Sequence, residues 1–362
     1  MDHTTLHDWH VAHGGRMVDF AGWEMPIQYT SIIEEHQAVR QRAGLFDIGH
    51  MGRLKFTGAD CCAFLDGLLT NDVTRLEVGQ VRYSLVCNEA GGTLDDVLVY
   101  RFPDCYRLVV NASNRGKIVA WIDQHLGDAN VQMTDETFDT CMIAIQGPES
   151  LALLQPLTDT DLREMGYYTV TDTSVCDHSA IVSRTGYTGE DGFEVVVNSE
   201  DGLHVWDSLM QAGQQVGLLP CGLGCRDTLR LEAGMPLYGH EMDESVDPLK
   251  AGLGFGVKLK AGQFIGKAAL LEILSNPKET RRVGLVLAGR RIAREGAAVF
   301  AGDQEIGKVT SGTFSPTLER PIAMAYVPSG HSSPGTRLEV DLRGQRIPAE
   351  VVALPFYKRT SD

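Results

Sequence analysis

The sequence of 362 residues predicts an α+β fold followed by an all-β segment at the C-terminal end. Up to about residue 275, strand-like runs alternate with helix-like runs. After the polar stretch 275–282 the helical pattern stops, and short alternating runs lie between turn residues, such as AGDQ (301–304) and LRGQ (342–345). This change predicts a small antiparallel barrel or sandwich of roughly 80 to 90 residues. A chain of this length is longer than the chains that one hydrophobic core usually serves, so the first 275 residues should form two α+β units.

The elements before residue 275 can be placed from periodicity and capping signals. Residues 31–46 favour a helix, and residues 106–111 favour a strand. A second helix is expected from about Asn114, which with Ser113 can cap it. Residues 141–157 repeat the pattern, with an apolar strand, a glycine turn and a proline at a position that a first helical turn tolerates.

Composition and charge exclude several classes of partner. Hydrophobic residues make up 43% and charged residues 22% of the chain, as in an ordinary globular protein, and no apolar run is long enough to cross a bilayer. The opening MDHTTLHDWH has neither the signature of a signal peptide nor that of a transit peptide. The formal net charge of −16 opposes binding to nucleic-acid phosphates. We expect a cytoplasmic protein that has neither membrane nor nucleic acid as a partner.

No metal site is expected from the cysteines and histidines. The eight cysteines show no CxxC pair and no zinc-like grouping, which predicts reduced and mostly buried thiols. His7, His10 and His13 have a spacing that clusters side chains on a helix, but the neighbouring sequence offers no carboxylate or thiol at ligand spacing. A solvated helix face is the expected role of these histidines.

Two adjacent acids precede an apolar run in the segment GGTLDDVLVY (91–100). On a strand, Asp96 would share a face with Leu98 and Tyr100, while Asp95 would point to the opposite face. At most one of the two acids can therefore serve a given pocket. The residues alone leave open whether either acid does chemistry or both belong to a turn.

Two further segments combine glycines with side chains that a site can use. Met51 in FDIGHMG (46–52) would by default fill a gap in the core. In RTGYTGEDGFEVVV (184–197), three glycines precede a strand that carries Glu194, and a buried carboxylate is costly unless it is paired. A hairpin without a ligand and a pocket wall that offers a carboxylate remain equally open for this segment.

An arginine near the start of a predicted helix favours an anionic ligand. The segment CGLGCRDTLRLEAG (221–234) begins with a glycine-rich turn and places Arg226 in the first helical turn, where a positive charge opposes the helix dipole. The chain has no dinucleotide fingerprint, no phosphate-binding loop, no nucleophile elbow and no HExxH motif. Hydride, phosphoryl and acyl transfer therefore lack their usual signatures.

Seven segments of the chain form an ordered set of motifs. They are FAGWEMPIQY (20–29), FDIGHMG (46–52), NEAGGTLDDVLVY (88–100), RTGYTGEDGFE (184–194), RDTLRLEAGMPLYGHEMD (226–243), IGKVTSGTFSPTL (306–318) and PFYKR (355–359). Together they resemble one enzyme family, the aminomethyltransferases (T-proteins) of the glycine cleavage system, and the resemblance covers about residues 4–359.

This resemblance implies a three-domain, cloverleaf-like arrangement around a central hole that holds tetrahydrofolate. The implied units are a discontinuous α+β domain (1–50 and 140–275), a second α+β domain carrying Asp96 (51–139), and a C-terminal antiparallel β-barrel or jelly-roll-like domain (276–362). The implied activity transfers a one-carbon unit from an aminomethyl group on the lipoyl arm of the H-protein to tetrahydrofolate, with release of ammonia. The implied partners are the lipoylated H-protein and tetrahydrofolate, without a metal.

The resemblance also assigns residues to roles. Asp96 matches the catalytic aspartate, which leaves Asp95 to close a turn by hydrogen bonding to nearby backbone amides. Glu194 would accept hydrogen bonds from the pterin, and Arg226 would attract the anionic end of folate or brace the pocket. One departure is Gly49, where the family commonly has serine. The implied folate-binding residues are Met51, Tyr83, Asp96, Val109, Asn111, Tyr187, Glu194 and Arg226.

Two other classes share the implied fold and much of the implied pocket. One demethylates small sulfonium or methylamine compounds with tetrahydrofolate, in some cases as a domain fused to a flavin oxidase. The other is a non-enzymatic, folate-binding factor of iron–sulfur assembly, marked by a KGCYxGQE-like segment. Here Thr185 stands where that cysteine would be, and the chain shows no flavin domain.

Overall fold

A computed structural model describes residues 1–260, 262–276 and 280–360 of the protein. Of the predicted polar linker, residues 277–279 lie outside the described residues. The α-helices within the described ranges are α1 (His7–Ala12), α2 (Ile32–Gln41), α3 (Cys61–Leu68), α4 (Arg115–His125), α5 (Ser150–Leu154), α6 (Gly202–Gly213), α7 (Leu223–Glu232) and α8 (Lys267–Ser275). The strands up to residue 110 are β1 (Arg16–Phe20), β2 (Trp23–Gln28), β3 (Gly44–Asp47), β4 (Gly52–Thr57), β5 (Val81–Cys87), β6 (Thr93–Arg101) and β7 (Tyr106–Val110).

The remaining strands supply the rest of two sheets and the whole barrel. They are β8 (Gln132–Asp135), β9 (Thr140–Gln146), β10 (Val170–Val175), β11 (His178–Ser183), β12 (Gly192–Asn198), β13 (Leu219–Pro220), β14 (Thr280–Leu287), β15 (Ala298–Ala301), β16 (Gln304–Ser315), β17 (Arg320–Pro328), β18 (Arg337–Asp341) and β19 (Arg346–Val352).

The strands form two mixed or antiparallel sheets, a hairpin and a closed barrel. One sheet has the order β10-β11-β12-β9-β3-β13, and a second has the order β5-β6-β7-β4-β8. Strands β1 and β2 form a separate hairpin, and β14-β17-β16-β15-β18-β19 close into a barrel whose neighbouring strands are antiparallel. The predicted α+β class with a C-terminal antiparallel barrel is confirmed. The domain boundaries stay a prediction, although the second sheet draws all its strands from residues 52–135.

Each of the two sheets packs one face into its own apolar core. Only the opposite face of the sheet is then available to line a site. The six-stranded sheet packs against helix α6 through buried residues such as Trp206 and Leu209. The five-stranded sheet buries Val97 and Val99 of β6 together with Ile118 and Ile122 of helix α4. Because alternate residues of β6 point to opposite faces, the face that carries Asp96 is turned away from this core.

One sequence-based expectation about local structure needs correction, and another is confirmed. Helix α2 ends at Gln41, so the predicted helix over residues 31–46 was too long, and Gly44–Asp47 forms strand β3 between β9 and β13. A side chain at Gly44 would lie 2.4 Å from Cγ2 of Val39, so close packing favours glycine here. The predicted hairpin turns are confirmed, since Ala301 pairs with Gln304 and residues 342–345 connect β18 to β19.

A buried ionic network joins the barrel to helices α2 and α7. The carboxylate of Glu232 accepts hydrogen bonds from the Ser315 and Thr317 hydroxyls of the barrel domain and from the Arg40 guanidinium, and it lies 3.2 Å from Nε2 of His36. Burial alone would raise the pKa of Glu232, but the hydrogen bonds and charges of His36 and Arg40 outweigh it and lower this pKa to about 2. This network holds the barrel against the wall of the cavity described below.

Among the described residues, no helix combines the length and the apolar character that a bilayer crossing requires.

Candidate active site

A cavity of about 1340 Å³ lies where the two sheets, the hairpin and the barrel meet. Its wall includes residues of the β1–β2 hairpin, of strands β5 and β6, of the segment before β12, of helix α7, and of barrel strands β14 and β16. Ligand pockets usually have volumes of about 300–1,000 Å³, so this cavity has room for an extended organic molecule.

All the residues that the family resemblance assigned to the site line this one cavity. They come from distant parts of the chain, and their convergence depends on the packing of all the sheets. Met51 and Val109 also pack at the edge of a buried cluster that includes Phe46, so they form an apolar part of the wall. The converging residues are Met51, Tyr83, Asp96, Val109, Asn111, Tyr187, Glu194 and Arg226.

The carboxylate of Asp96 is held at the cavity wall by two donors. The Tyr83 hydroxyl donates to Oδ2 at 3.0 Å, and the Asn111 side-chain amide donates to Oδ1 at 2.8 Å. Both donors come from the strands beside β6, since Tyr83 lies in β5 and Asn111 follows β7 directly. The carboxylate is therefore fixed in orientation before any ligand binds.

Asp95 lies inside strand β6 and not in a turn, so that expectation was wrong. It is fully buried on the core side. Its Oδ1 accepts from the side-chain amides of Asn111 at 2.8 Å and Asn114 at 2.6 Å, and its Oδ2 accepts from the backbone amide of Asn111 at 3.0 Å. The side-chain nitrogen of Asn111 therefore bridges the two adjacent acids. Asn114 was expected to cap helix α4, but its side chain turns to Asp95 instead.

Burial raises the pKa of both acids in the pair. The neighbouring charge of Asp96 raises the pKa of Asp95 further, against the lowering effect of the Asn114 and Asn111 amides. For Asp96, the hydrogen bonds from Tyr83 and Asn111 oppose the effect of burial on the pKa. Two carboxylates on adjacent residues in a low-dielectric setting repel each other when both are ionised, so their titrations are linked.

Glu194 faces the cavity from strand β12, with 7% of its surface exposed. Its Oε2 accepts a hydrogen bond from the Thr185 hydroxyl, which in turn lies 2.8 Å from the Ser183 hydroxyl. Burial raises the pKa of Glu194, while Thr185 and the nearby charge of Arg226 lower it. A partly desolvated carboxylate with free lone pairs is suited to binding a ligand that carries several N–H donors.

Arg226 presents its guanidinium to the cavity. Within the part of the chain that the structure describes, no side chain or carbonyl accepts a hydrogen bond from it, and it lies over the Tyr187 ring at 4.8 Å from the ring centre. The Tyr187 hydroxyl donates to the carbonyl oxygen of Pro236, which fixes the ring. Burial lowers the pKa of Arg226, and the charge of Glu194 raises it. Five N–H donors on a cation are thus available to an anionic ligand.

His50 also lines the cavity, although it was not predicted from the sequence. Its exposed fraction is 2%, and its Nδ1 atom has no hydrogen-bond partner among the described residues. Burial lowers the pKa of His50 to about 4, partly offset by Asp47, so the imidazole is neutral at pH 7. Its position next to Met51 in the FDIGHMG segment was the available signal.

The barrel supplies part of the wall, and no residue of this part was predicted individually. Residues 310–314 of β16 line the cavity, as does Arg282 of β14, whose Nη1 donates to the carbonyl oxygen of Gly234 at 3.1 Å. The segment IGKVTSGTFSPTL contributed to the resemblance, but a barrel strand offers no local pattern that tells which residues meet a neighbouring domain.

The expectation of a solvated histidine face on helix α1 was wrong for His10. This side chain is fully buried, with Nε2 at 2.8 Å from Oδ2 of Asp47 and Nδ1 at 2.8 Å from the Tyr29 hydroxyl. Oδ1 of Asp47 accepts from the backbone amide of Gly49 at 2.7 Å. The His10–Asp47 pair therefore fixes the loop that leads from strand β3 to Met51.

Family models match the chain over most of its length. Residues 6–261 match the model described as the GCVT N-terminal domain. Residues 280–358 match the model of the glycine cleavage T-protein C-terminal barrel domain.

Alignments with similar proteins cover nearly the whole chain. An aminomethyltransferase of Streptomyces avermitilis is 48% identical and aligns with 99% of this chain and 98% of its own length. An aminomethyltransferase of Symbiobacterium thermophilum is 46% identical over 98% of this chain and 97% of its own length. Among solved structures, the glycine cleavage system aminomethyltransferase T of Bartonella henselae has a TM-score of 0.93 and 33% identity, with 99% of this chain and 98% of that chain covered.

Proposed function

The chain belongs to the glycine cleavage T-protein family of aminomethyltransferases, and we propose that its acceptor is tetrahydrofolate and its donor an aminomethylated, lipoyl-bearing H-protein. The observation that carries the proposal is the convergence on one cavity of Asp96, Glu194 and Arg226, three groups with different charge and hydrogen-bonding capacity. These groups complement the three chemically distinct parts of a reduced folate: the reacting amines, the pterin and the glutamate carboxylates.

The polar groups of the cavity wall suit the polar groups of a folate. The pterin carries an amino group and ring N–H groups, and Glu194 offers acceptor lone pairs beyond the one that Thr185 occupies. The glutamate end carries carboxylates, and Arg226 offers donors that no described residue uses. Met51 and Val109 supply an apolar part of the wall, against which a planar ring can pack.

Asp96 acts at the carbon that is transferred. Two bonds of that carbon break, one to ammonia and one to the lipoyl sulfur, while two bonds form to the N5 and N10 amines of tetrahydrofolate. The two amine protons leave with the ammonia and the dihydrolipoyl thiol, so the products are 5,10-methylenetetrahydrofolate, ammonia and the reduced carrier. Positive, iminium-like charge develops on the carbon during transfer. A carboxylate fixed by Tyr83 and Asn111 stabilises this charge without reorganisation and can take a proton from a folate amine.

The proposal is tested by mixing the purified protein with aminomethylated H-protein and tetrahydrofolate. We expect ammonia and methylenetetrahydrofolate in equal amounts, and no turnover when either substrate is left out. Formation of methyltetrahydrofolate from a small sulfonium or methylamine donor, without turnover of the H-protein, would contradict the proposal. Binding of tetrahydrofolate without any turnover of either donor would also contradict it, because it would indicate a folate-binding accessory protein.

A further inference from the structure

Three donor groups from separate elements converge on the surface beside helix α1. Nε2 of His3 and Nε2 of His7 lie 3.1 Å and 2.9 Å from the same atom, Oε2 of Glu24. All three donor atoms lie within 4.8 Å of one another. Glu24 is 17 residues away from His7 and reaches it only through the β1–β2 hairpin, so the local sequence around the histidines does not reveal this carboxylate.

The backbone fixes this meeting of side chains. The amide of Asp2 donates to the carbonyl oxygen of Gly22 at 2.7 Å, and the amide of Glu24 donates to the carbonyl oxygen of Asp2 at 2.9 Å. The first residues of the chain therefore run along the edge of β2, which places His3 beside Glu24. Helix α1 begins at His7 and brings the second imidazole to the same place.

We propose that His3, His7 and Glu24 form a binding site for Zn²⁺. The inference does not depend on the proposed function. Zinc is bound by imidazole nitrogen and carboxylate oxygen at about 2.0–2.2 Å, usually with tetrahedral geometry. Ligand atoms at those distances and at tetrahedral angles are separated by about 3.4 Å. The separations of 3.1 Å and 2.9 Å from Glu24 to the two histidines are within a few tenths of an ångström of that value.

The hydrogen-bond partner of His7 agrees with ligation through Nε2. The His3 and His7 rings are stacked with an interplanar angle of 3° and a centroid distance of 3.7 Å, and ligation of one ion by both Nε2 atoms requires the half-exposed His3 ring to turn out of this stack. Nδ1 of His7 is 3.0 Å from Oδ1 of Asp8. A carboxylate on the second nitrogen is the usual partner of a metal-bound histidine, because it fixes the tautomer that presents the other nitrogen to the metal.

The surroundings favour an accessible ion with an open position. The His7 side chain is 13% exposed, while Glu24 and His3 are 30% and 51% exposed, so an ion can enter from solvent and keep a water ligand. The net charge of −16 also favours binding of a cation. An ion bound here would tie the start of the chain and helix α1 to the hairpin whose residues 18–21 line the cavity.

The experiment is equilibrium dialysis of the full-length, untagged protein against Zn²⁺, with His7→Ala, Glu24→Gln and the control His13→Ala. His13 lies next to the same helix, stacks on Trp9 and takes no part in the cluster. We expect one equivalent of Zn²⁺ in the wild type and in His13→Ala, and at least a tenfold weaker affinity in the other two variants. Zn²⁺ should raise the melting temperature of the wild type and His13→Ala only, because it binds the folded state.

The proposal is overturned if the wild type binds no Zn²⁺, which would leave a hydrogen-bonded cluster alone. It is also overturned if His7→Ala and Glu24→Gln retain the wild-type affinity. In that case the ion would lie elsewhere, for example at the buried group of Glu35, Cys221 and Cys225. Both ligand variants change partly exposed side chains, so loss of binding with unchanged far-UV circular dichroism reports on the site and not on folding.

Discussion

Replacement of Asp96 by asparagine is expected to remove most of the turnover while leaving the fold and folate binding intact. The Asp96 carboxylate accepts one hydrogen bond from Asn111 and one from Tyr83. An asparagine can keep the first through its carbonyl oxygen, and the Tyr83 hydroxyl can rotate to accept the second from the new amide. The change therefore removes a charge and a proton acceptor without removing volume.

The size of the effect follows from the charge that is lost. A carboxylate about 4 Å from a developing cation, at an effective dielectric constant of about 20, contributes about 4 kcal/mol. Since each 1.36 kcal/mol corresponds to a factor of ten in rate, kcat should fall by about 10³-fold. Loss of proton transfer adds to this effect, so the expected range is roughly 10²- to 10⁴-fold.

The assay is ammonia release with aminomethylated H-protein at saturating tetrahydrofolate, together with the Kd of tetrahydrofolate measured by fluorescence. Asp95→Asn is the matched control, because it changes the adjacent acid in the same way. It places an amide against the donors of Asn111 and Asn114, which should cost about 1–3 kcal/mol of stability per unpaired donor and lower the melting temperature. A kcat for Asp96→Asn within threefold of wild type, or a larger loss of kcat in Asp95→Asn, would refute the reasoning.

Three further predictions concern the cavity and the barrel contact. Glu194→Gln should raise KM for tetrahydrofolate by about 10- to 100-fold at nearly unchanged kcat, because charge-assisted hydrogen bonds to the pterin are weakened; an unchanged KM in steady-state kinetics would argue against it. Arg226→Gln should weaken folate binding, measured by titration, by a similar factor without lowering the melting temperature, since no described residue accepts a hydrogen bond from its guanidinium. For Glu232, the pKa of about 2 in the folded state lies below its ordinary value of 4.5, so its contribution of about 3 kcal/mol is present above pH 4.5 and is lost as the pH falls towards 2. Denaturant unfolding of wild type and Glu232→Gln should therefore differ at pH 7 and converge in acid; a constant difference would show that His36 and Arg40 do not act through its charge.

Local rules predicted much of the fold but only part of the site. Strand alternation correctly placed Asp95 and Asp96 on opposite faces of β6, because that rule depends on the backbone alone. Which face meets a cavity depends on what covers the other face, and here helix α4 covers the side of Asp95. The bridge from Asn111 to both acids joins residues 15 and 16 positions apart across the sheet, and no local pattern encodes it.

The sequence-based predictions that were wrong also have non-local causes. The helix over residues 31–46 was predicted too long because the pairing of Gly44–Asp47 with β9 overrides helix propensity. His10 was assigned to solvent because its partners Asp47 and Tyr29 lie far along the chain. Glu24 was not connected with His3 and His7 for the same reason. In each case the tertiary contact decides the environment of a side chain whose local sequence is uninformative.

The most direct test of the central claim is a carbon-13 NMR experiment that follows the aminomethyl carbon of labelled H-protein during turnover with tetrahydrofolate. We predict that the label appears in the methylene bridge of 5,10-methylenetetrahydrofolate, with one ammonia released per labelled carbon, and that Asp96→Asn leaves the label on the H-protein over the same time. Appearance of the label as free formaldehyde at the same rate with and without tetrahydrofolate, or its retention on the H-protein with the wild type, would contradict the claim.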